Sequence, residues 1–356
     1  MAIGSFKLPI STSTSPAQWT KPAEWIDIST VGDNEINLLV SDGTGISFAT
    51  TVASSGTYTI DWGDGTVETG RASGTTYQHQ YNYSGGTYCA NLGYWVYKVR
   101  IYGATGNITR WQVKRHSFTT RKQYLNILWA VFGTTALTDC SSTFYDTVGL
   151  TAVCQELQAC TLPTSWGSVS NTSYMFAYCY ALSSIVLPTS WGSVSNTQGM
   201  FYNCYALSSI VLPTSWGSVT TVLSMFNGCY SLKTITGLDY LGHQSLATNG
   251  TDLLKDCQYL QGTLTVAAFL SKIGIYGTSA YLLQCTGIRL TNANSTFGGT
   301  SPQVNVSYTS LDATALNTLF GDLPTLTGKT ITITGCPGAA TCDTSIATAK
   351  GWTVIN

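Results

Sequence analysis

Leu187-Pro188-Thr189-Ser190-Trp191-Gly192-Ser193-Val194, followed by Met200-Phe201-Tyr202-Asn203-Cys204-Tyr205-Ala206-Leu207, decides the fold, because the chain writes it three times. The first half also stands at Leu162–Val169 and at Leu212–Val219. The second half returns as Met175-Phe176…Cys179…Leu182 and as Met225-Phe226…Cys229…Leu232, each copy 25 residues from the next. A fixed period in the twenties marks a solenoid, whose units bury their apolar faces against their neighbours. Solenoids more often offer a surface for binding than a chamber for chemistry.

Within one unit, Leu182-Ser183-Ser184-Ile185-Val186-Leu187-Pro188 predicts a short strand, with Pro188 ending the pairing. Met200-Phe201…Cys204…Leu207 has helical spacing and predicts a short helical turn facing the core. A residue that occurs once per coil stacks above itself. Cys154, Cys179, Cys204 and Cys229 recur at 25 residues, and Cys257 and Cys285 continue at 28. This predicts a buried thiol column, each S–H donating to a loop carbonyl. Coils only ~5 Å apart leave a disulfide between neighbours open. There is no C-x-x-C pair, so a zinc site is weakly signalled and no metal is expected. Cys336 and Cys342 flank a Pro-Gly turn and are the candidates for a true disulfide.

Trp166, Trp191 and Trp216 form a second column, Tyr180, Tyr205 and Tyr230 a third, and Asn171 and Asn196 a fourth. Exposed aromatics accept the apolar faces of sugar rings, so these residues are candidates for glycan or receptor contact. The bland alternative is stacking for stability alone, ~0.5–1.5 kcal/mol per pair.

The pattern M-F-x-x-C-x-x-L-x-x-I-x-L-P resembles the BspA-type leucine-rich repeats of bacterial surface proteins and phage proteins. Three central units carry it closely. Cys154-Gln155-Glu156-Leu157 is a degenerate earlier unit, and the units at Cys257 and Cys285 are stretched later ones. Upstream, residues 31–115 alternate as strands do, with Asp64-Gly65 marking a hairpin turn. Tyr58-Thr59-Ile60-Asp61-Trp62-Gly63-Asp64-Gly65-Thr66, then His79-Gln80-Tyr81, resembles a PKD-type immunoglobulin-like domain, although the Phe between Trp and Gly-Asp-Gly is missing. That resemblance implies a β-sandwich used as a spacer or adhesion module. Asp61 and Asp64 suggest calcium, but such carboxylates more often serve the turn itself. The C-terminal run from Gly328 to Val354 reads strand–turn–short helix–strand, with Trp352 and Val354 sealing the last coil. This ending, and the order of arm, module and repeats, resembles phage structural proteins.

Apolar residues make up 44 % of the chain and charged residues only 9 %, against ~25 % in ordinary soluble domains. Gly (35), Tyr (21) and Trp (10) are plentiful. A net charge of −1 exerts no long-range pull on nucleic acid. No apolar run reaches the ~18–20 residues that span a bilayer, and Met1–Pro9 lacks the apolar core of a signal peptide. The expectation is therefore synthesis in a host cytoplasm without a signal peptide, and a final place on a virion surface after lysis, with no membrane insertion. His79, His116 and His243 are scattered, and no G-x-S-x-G, H-E-x-x-H or phosphate-binding loop occurs. The chain is expected not to be an enzyme and to need no cofactor, although paired carboxylates need not be close in sequence. Arg110, Lys114, Arg115, His116, Arg121 and Lys122 form one basic cluster, read as a solvated face or as a docking patch for an acidic neighbour.

The expected fold is mainly β with short helices. Residues 1–30 form an attachment arm with Trp19 and Trp25 as anchors, and 31–118 a PKD/Ig-like β-sandwich. A leucine-rich-repeat solenoid follows over 119–335, with a C-terminal cap over 336–356. The function this points to is a bacteriophage tail fibre or receptor-binding appendage. Its partners would be other virion proteins, through the arm, and a host receptor or polysaccharide. A capsid decoration or head-fibre protein and a bacterial surface adhesin are the alternatives. A homo-oligomer and a monomer mounted on a larger shell are both open.

Overall fold

The computed structural model describes residues 19–41, 47–103, 105–114, 127–133, 136–145, 154–216, 218–240, 248–267, 270–280, 282–291 and 303–356. Eight strands come first: β1 (Glu35–Ser41), β2 (Ser47–Ser54), β3 (Tyr58–Asp61), β4 (Val67–Arg71), β5 (Thr76–Gln80), β6 (Thr87–Cys89), β7 (Tyr94–Gly103) and β8 (Ile108–Lys114). They make two antiparallel sheets. One runs β4-β3-β7-β1, with β6 also on β7, and the other runs β5-β2-β8. Ile36, Leu38 and Val40 share a core with Val52, Trp111 and Val113 of the other sheet. Aromatic pairs cross between the layers: Tyr58 meets Tyr77 edge-on at 6.0 Å, and Tyr81 stacks on Tyr97 at 4.0 Å.

Leu39 points the opposite way, yet β1 is buried along its whole length. The cover is the described end of the N-terminal arm. Trp25 and Ile28 are buried in a second cluster with Leu39, Val96, Leu128, Trp129 and Val131. Asn37, also buried, donates from Nδ2 to the carbonyls of Thr30 (2.9 Å) and Ile28 (3.4 Å). This corrects the reading of Trp19 and Trp25 as anchors to another molecule. Trp25 is spent inside its own chain, donating from Nε1 to the Tyr94 hydroxyl at 3.2 Å, and Trp19 lies 5.3 Å from Trp129. Residues 19–31 are a strap, and residues 1–18 of the expected arm lie outside the described residues.

β9 (Ile127–Phe132) is the seam. It pairs antiparallel with β1, Ile36 opposite Phe132, and parallel with β10 (Ala159–Thr161), Trp129 opposite Ala159. The second sheet continues too: the Val113 N–H donates to Thr143 at 2.9 Å and the Thr138 N–H to Thr109 at 2.9 Å. Both layers of the module thus run on into the two walls of the solenoid. The expected boundary at 118/119 divides sequence patterns, but hydrogen-bonded walls and one apolar core cross it. A solenoid's end needs a cap, and the module supplies one: Trp111 and Phe132 lie edge-on to Phe144 at the start of the repeat core.

One wall continues through β11 (Ser184–Val186), β12 (Ser209–Val211) and β13 (Thr234–Thr236). The next strands alternate between walls: β14 (Thr248–Gly250), β15 (Thr263–Ala267), β16 (Leu270–Gly274), β17 (Gly287–Thr291) and β18 (Val304–Asn305). The first wall ends with β15 and β17. The second begins as single parallel bridges, Asp139 to Asn171 to Asn196 to Thr221 to Asn249. It then becomes the ladder β14-β16-β18, joined by β19 (Lys329–Thr332) and β20 (Trp352–Ile355). Two helices pack near this end, α1 (Ala313–Asp322) and α2 (Ser345–Thr348). α1 is capped by Asp312, whose carboxylate accepts the Ala315 N–H at 2.8 Å. Trp352 is buried there, its Nε1 donating to Pro324 O at 2.7 Å.

The expected helical turn is absent from the described repeats. Met175–Cys179 and its copies are linked turns, because the chain enters the left-handed region every fourth residue: Tyr174 and Tyr178, Gly199 and Asn203, Ser224 and Gly228, Asp252 and Asp256. A helix does not survive such residues. Alternate N–H groups reach instead to the next coil: Thr172 to Asn196, Tyr174 to Gln198, Phe176 to Met200 and Tyr178 to Tyr202, at 2.7–2.9 Å.

Candidate binding surface

Four columns run inside the repeats. Phe144, Phe176, Phe201 and Phe226 stack at 5.3–5.4 Å, the last two pairs within 4° of parallel. The thiols of Cys204, Cys229 and Cys257 donate to the carbonyls of Phe176, Phe201 and Phe226 one coil back, at 3.0–3.1 Å. Cys154, Cys179 and Cys285 are buried in the same core. Burial pushes the Cys229 and Cys285 thiols up to about 12, and Cys179 and Cys204 well above the ordinary range. These thiols are protonated and shielded, which removes them from nucleophilic chemistry.

The tryptophan column is the third, and it faces inward. Trp166, Trp191 and Trp216 are only 1, 0 and 3 % exposed. They pack on one another at 5.5 and 4.6 Å. The reading of these three as a sugar platform is therefore corrected: no ligand reaches their faces. Their indole N–H groups are buried without an acceptor among the described residues, and ring packing holds them.

Asn171 and Asn196 belong to the fourth, a ladder of turns. The Oδ1 of Asn171 accepts the Ser173 N–H and that of Asn196 the Gln198 N–H, both at 3.0 Å. Asp139, Thr221, Asn249 and Asn305 repeat the geometry. These side chains stabilise the second wall, which corrects their assignment to glycan contact. Cys336 and Cys342 are also corrected: both are free thiols. Cys336 donates to Val306 O at 3.2 Å, and Cys342 lies 3.6 Å from Ala339 O.

Asp61 and Asp64 serve their turn. Asp61 Oδ1 accepts the Gly63 N–H, Asp64 Oδ1 accepts the Thr66 N–H, and Asp64 Oδ2 meets His79 Nε2 at 2.6 Å. Burial would raise the Asp64 carboxyl, but the bonds from His79 and Thr66 outweigh it and hold it below its ordinary value. Of the basic cluster, Arg110 pairs with Asp139 at 3.3 Å and the backbone of Lys114 closes β8. Arg115, His116, Arg121 and Lys122, like His243, lie outside the described residues.

What faces outward is tyrosine. Tyr180, Tyr205 and Tyr230 stack at 4.4 and 5.0 Å, within 5° and 27° of parallel, and are half-buried. Their ring faces cover each other, so they present edges rather than faces. A second row lies beside them. Tyr178 packs against Tyr145 (5.4 Å), Tyr202 (5.3 Å) and Tyr180 (6.2 Å). Tyr174 sits beside Tyr145 and accepts a hydrogen bond from Gln198 Nε2 at 2.8 Å. Burial, with Tyr202 and Tyr145 close by, raises the Tyr178 phenol, which stays protonated. On the first wall Val186 and Val211 are 76 and 63 % exposed.

Two features mark this surface, one in the sequence and one in the backbone. Residues 157–232 contain no Asp, Glu, Lys, Arg or His. And at the second left-handed position of each coil stand Tyr178, Asn203, Gly228 and Asp256. Gly, Asn and Asp tolerate that backbone; tyrosine there costs about 1–2 kcal/mol.

Residues 152–274 match the BspA type leucine rich repeat region, in six copies. No curated protein and no solved structure matches the chain significantly. The chain thus carries BspA-type leucine-rich repeats within a parallel β-solenoid.

Proposed function

We propose that this chain is a non-enzymatic attachment protein of a bacteriophage virion, whose repeat surface meets the host. The observation that carries the reading is the partition of the repeats. Thiols, tryptophans and phenylalanines are turned inward, and a charge-free wall edged by half-buried tyrosines is turned outward. Tyrosine, with an apolar body and a polar tip, is the residue type favoured at contact surfaces. Adhesion or binding is a common use of such repeats.

The N-terminal module supports a PKD-type reading. Trp62 closes the Gly-Asp-Gly turn by donating its N–H to Thr66 O at 3.0 Å. Tyr81 donates to Trp62 O at 2.9 Å, and His79 stacks on Trp62 at 5.0 Å while holding Asp64. The residues that carry the resemblance are thus one packed unit. The order of strap, module and repeats resembles phage appendage proteins, with residues 1–18 as the attachment segment.

Immunogold electron microscopy of purified virions, with antibody to residues 119–356, tests the reading. Label at tail tips or fibres is expected. Label over the head would make the chain a decoration protein. Label on cells and on no particle would overturn the virion role in favour of a bacterial adhesin.

A further inference from the structure

We propose that the tyrosine edge of the solenoid, centred on Tyr178, is a binding site for an uncharged linear polysaccharide lying along the solenoid axis. This deepens the attachment reading and rests on it only for the source of the polymer. Two observations single out Tyr178. Tyr178 is the hub of the cluster, in ring contact with Tyr145, Tyr180 and Tyr202, which come from three successive coils. It also occupies a left-handed backbone position, φ 63°, where the following coils use Asn203, Gly228 and Asp256. Tyr83, Tyr174 and Tyr308 are left-handed too, and of these four Tyr174 and Tyr178 lie together on this edge, where two side chains kept against the preference of their own backbone point to function.

The ligand class follows from charge and direction. No charged residue or histidine occurs in residues 157–232. Within this stretch an anionic polymer finds no Arg or Lys to pair with, and a cationic one no carboxylate; charge returns only at its borders, Glu156 and Lys233. An uncharged polyhydroxylated chain needs only hydroxyls and apolar ring surface. Tyr180, Tyr205 and Tyr230 repeat at 4.4 and 5.0 Å along the axis, so identical edges recur coil after coil. A ligand that itself repeats on a similar scale makes the same contact several times. A folded protein partner lacks that periodicity. The tilt of Tyr202 against Tyr178, 59°, breaks the stacking and leaves an angled ring against which the apolar face of a sugar packs.

The test is retention of the full chain on immobilised linear polysaccharides, neutral (glucans, mannans, galactans) and anionic (polyuronates). At least one neutral polymer should bind, with no loss of binding as salt is raised. Tyr178→Asn, which copies the next coil, should weaken binding by about tenfold or more, with a melting temperature no lower than that of the parent. Tyr202→Ala provides a second reading should Tyr178→Asn misfold, and should weaken binding likewise. Retention by polyuronates alone, retention by no neutral polymer, or unchanged binding in folded Tyr178→Asn or Tyr202→Ala would overturn the site. None of these outcomes bears on whether antibody labels the virion.

Discussion

The module and the central repeats build the same two walls by opposite means. In the module, neighbouring strands run antiparallel and are locked by polar side-chain pairs. Arg100 grips Glu35 of β1 at 2.8 and 3.3 Å, and His79 grips Asp64 at 2.6 Å. In residues 157–232 there is no charge to use. The Phe, Cys and Trp side chains meet their own copies, and the locks are stacked rings, thiols on carbonyls and side-chain turns. The lesson is that a repeat obtains long-range order from one local solution copied, whereas the module must find a separate solution for every pair of strands.

The sharpest test of that contrast is pH. Buried thiols with raised pKa keep their full contribution below the unfolded value of ~8.5 and lose it as pH rises toward about 12 for Cys229 and Cys285. Each thiol gives up about 1.4 kcal/mol per pH unit in that window. With several in one column the repeats should therefore unravel first in alkali, seen as early loss of hydrogen-exchange protection in peptides from 171–285. If module peptides open at the same pH or earlier, the columns are not the weak point.

Next in size, Phe201→Ala removes the ring that links Phe176 to Phe226 and should cost about 3–5 kcal/mol. Because a coil touches only its neighbours, denaturation followed by hydrogen exchange should show the loss in the adjacent coils and spare the module. Equal loss in both would make them one cooperative unit. Trp25→Ala probes the seam itself. It uncovers Leu39 and Trp129, should cost about 3 kcal/mol, and should separate calorimetric unfolding into two transitions; a single shifted transition would show that β9 alone couples the halves.

The smallest effect lies at the other end of the pH scale. The Asp64 carboxyl is held low, so its contribution is present above ~3.9 and is lost as pH falls through its lower folded value. Asp64→Asn should cost about 1 kcal/mol at neutral pH and flatten the acid limb of a urea-midpoint profile. A profile identical to the parent's would mean that the turn, not the Asp64–His79 pair, holds the module.

The columns could be read from spacing alone, and so could the strand at each Ile-Val pair and the Trp352 seal. So could the turn at Gly63-Asp64-Gly65, where φ values of 83° and 97° require glycine. The i, i+1, i+4, i+7 spacing predicts a helical turn but is equally produced by linked turns that enter the left-handed region every fourth residue. The α1 helix lies outside the expected elements, although Asp312 and the Leu316–Leu319–Phe320 spacing announce it.

By itself the sequence determined that residues 25 apart stack, because identical units in identical environments leave a coil no other stable arrangement. Only the tertiary structure decided which stacks face inward. Trp191 and Tyr205 have the same period and nearly the same hydropathy, and what separates them is the path of the chain between walls. It also decided that β9 belongs to both regions and that residues 19–31 cover the seam. Those pairings join distant segments through burial shared between them, and no local pattern in either segment encodes its partner.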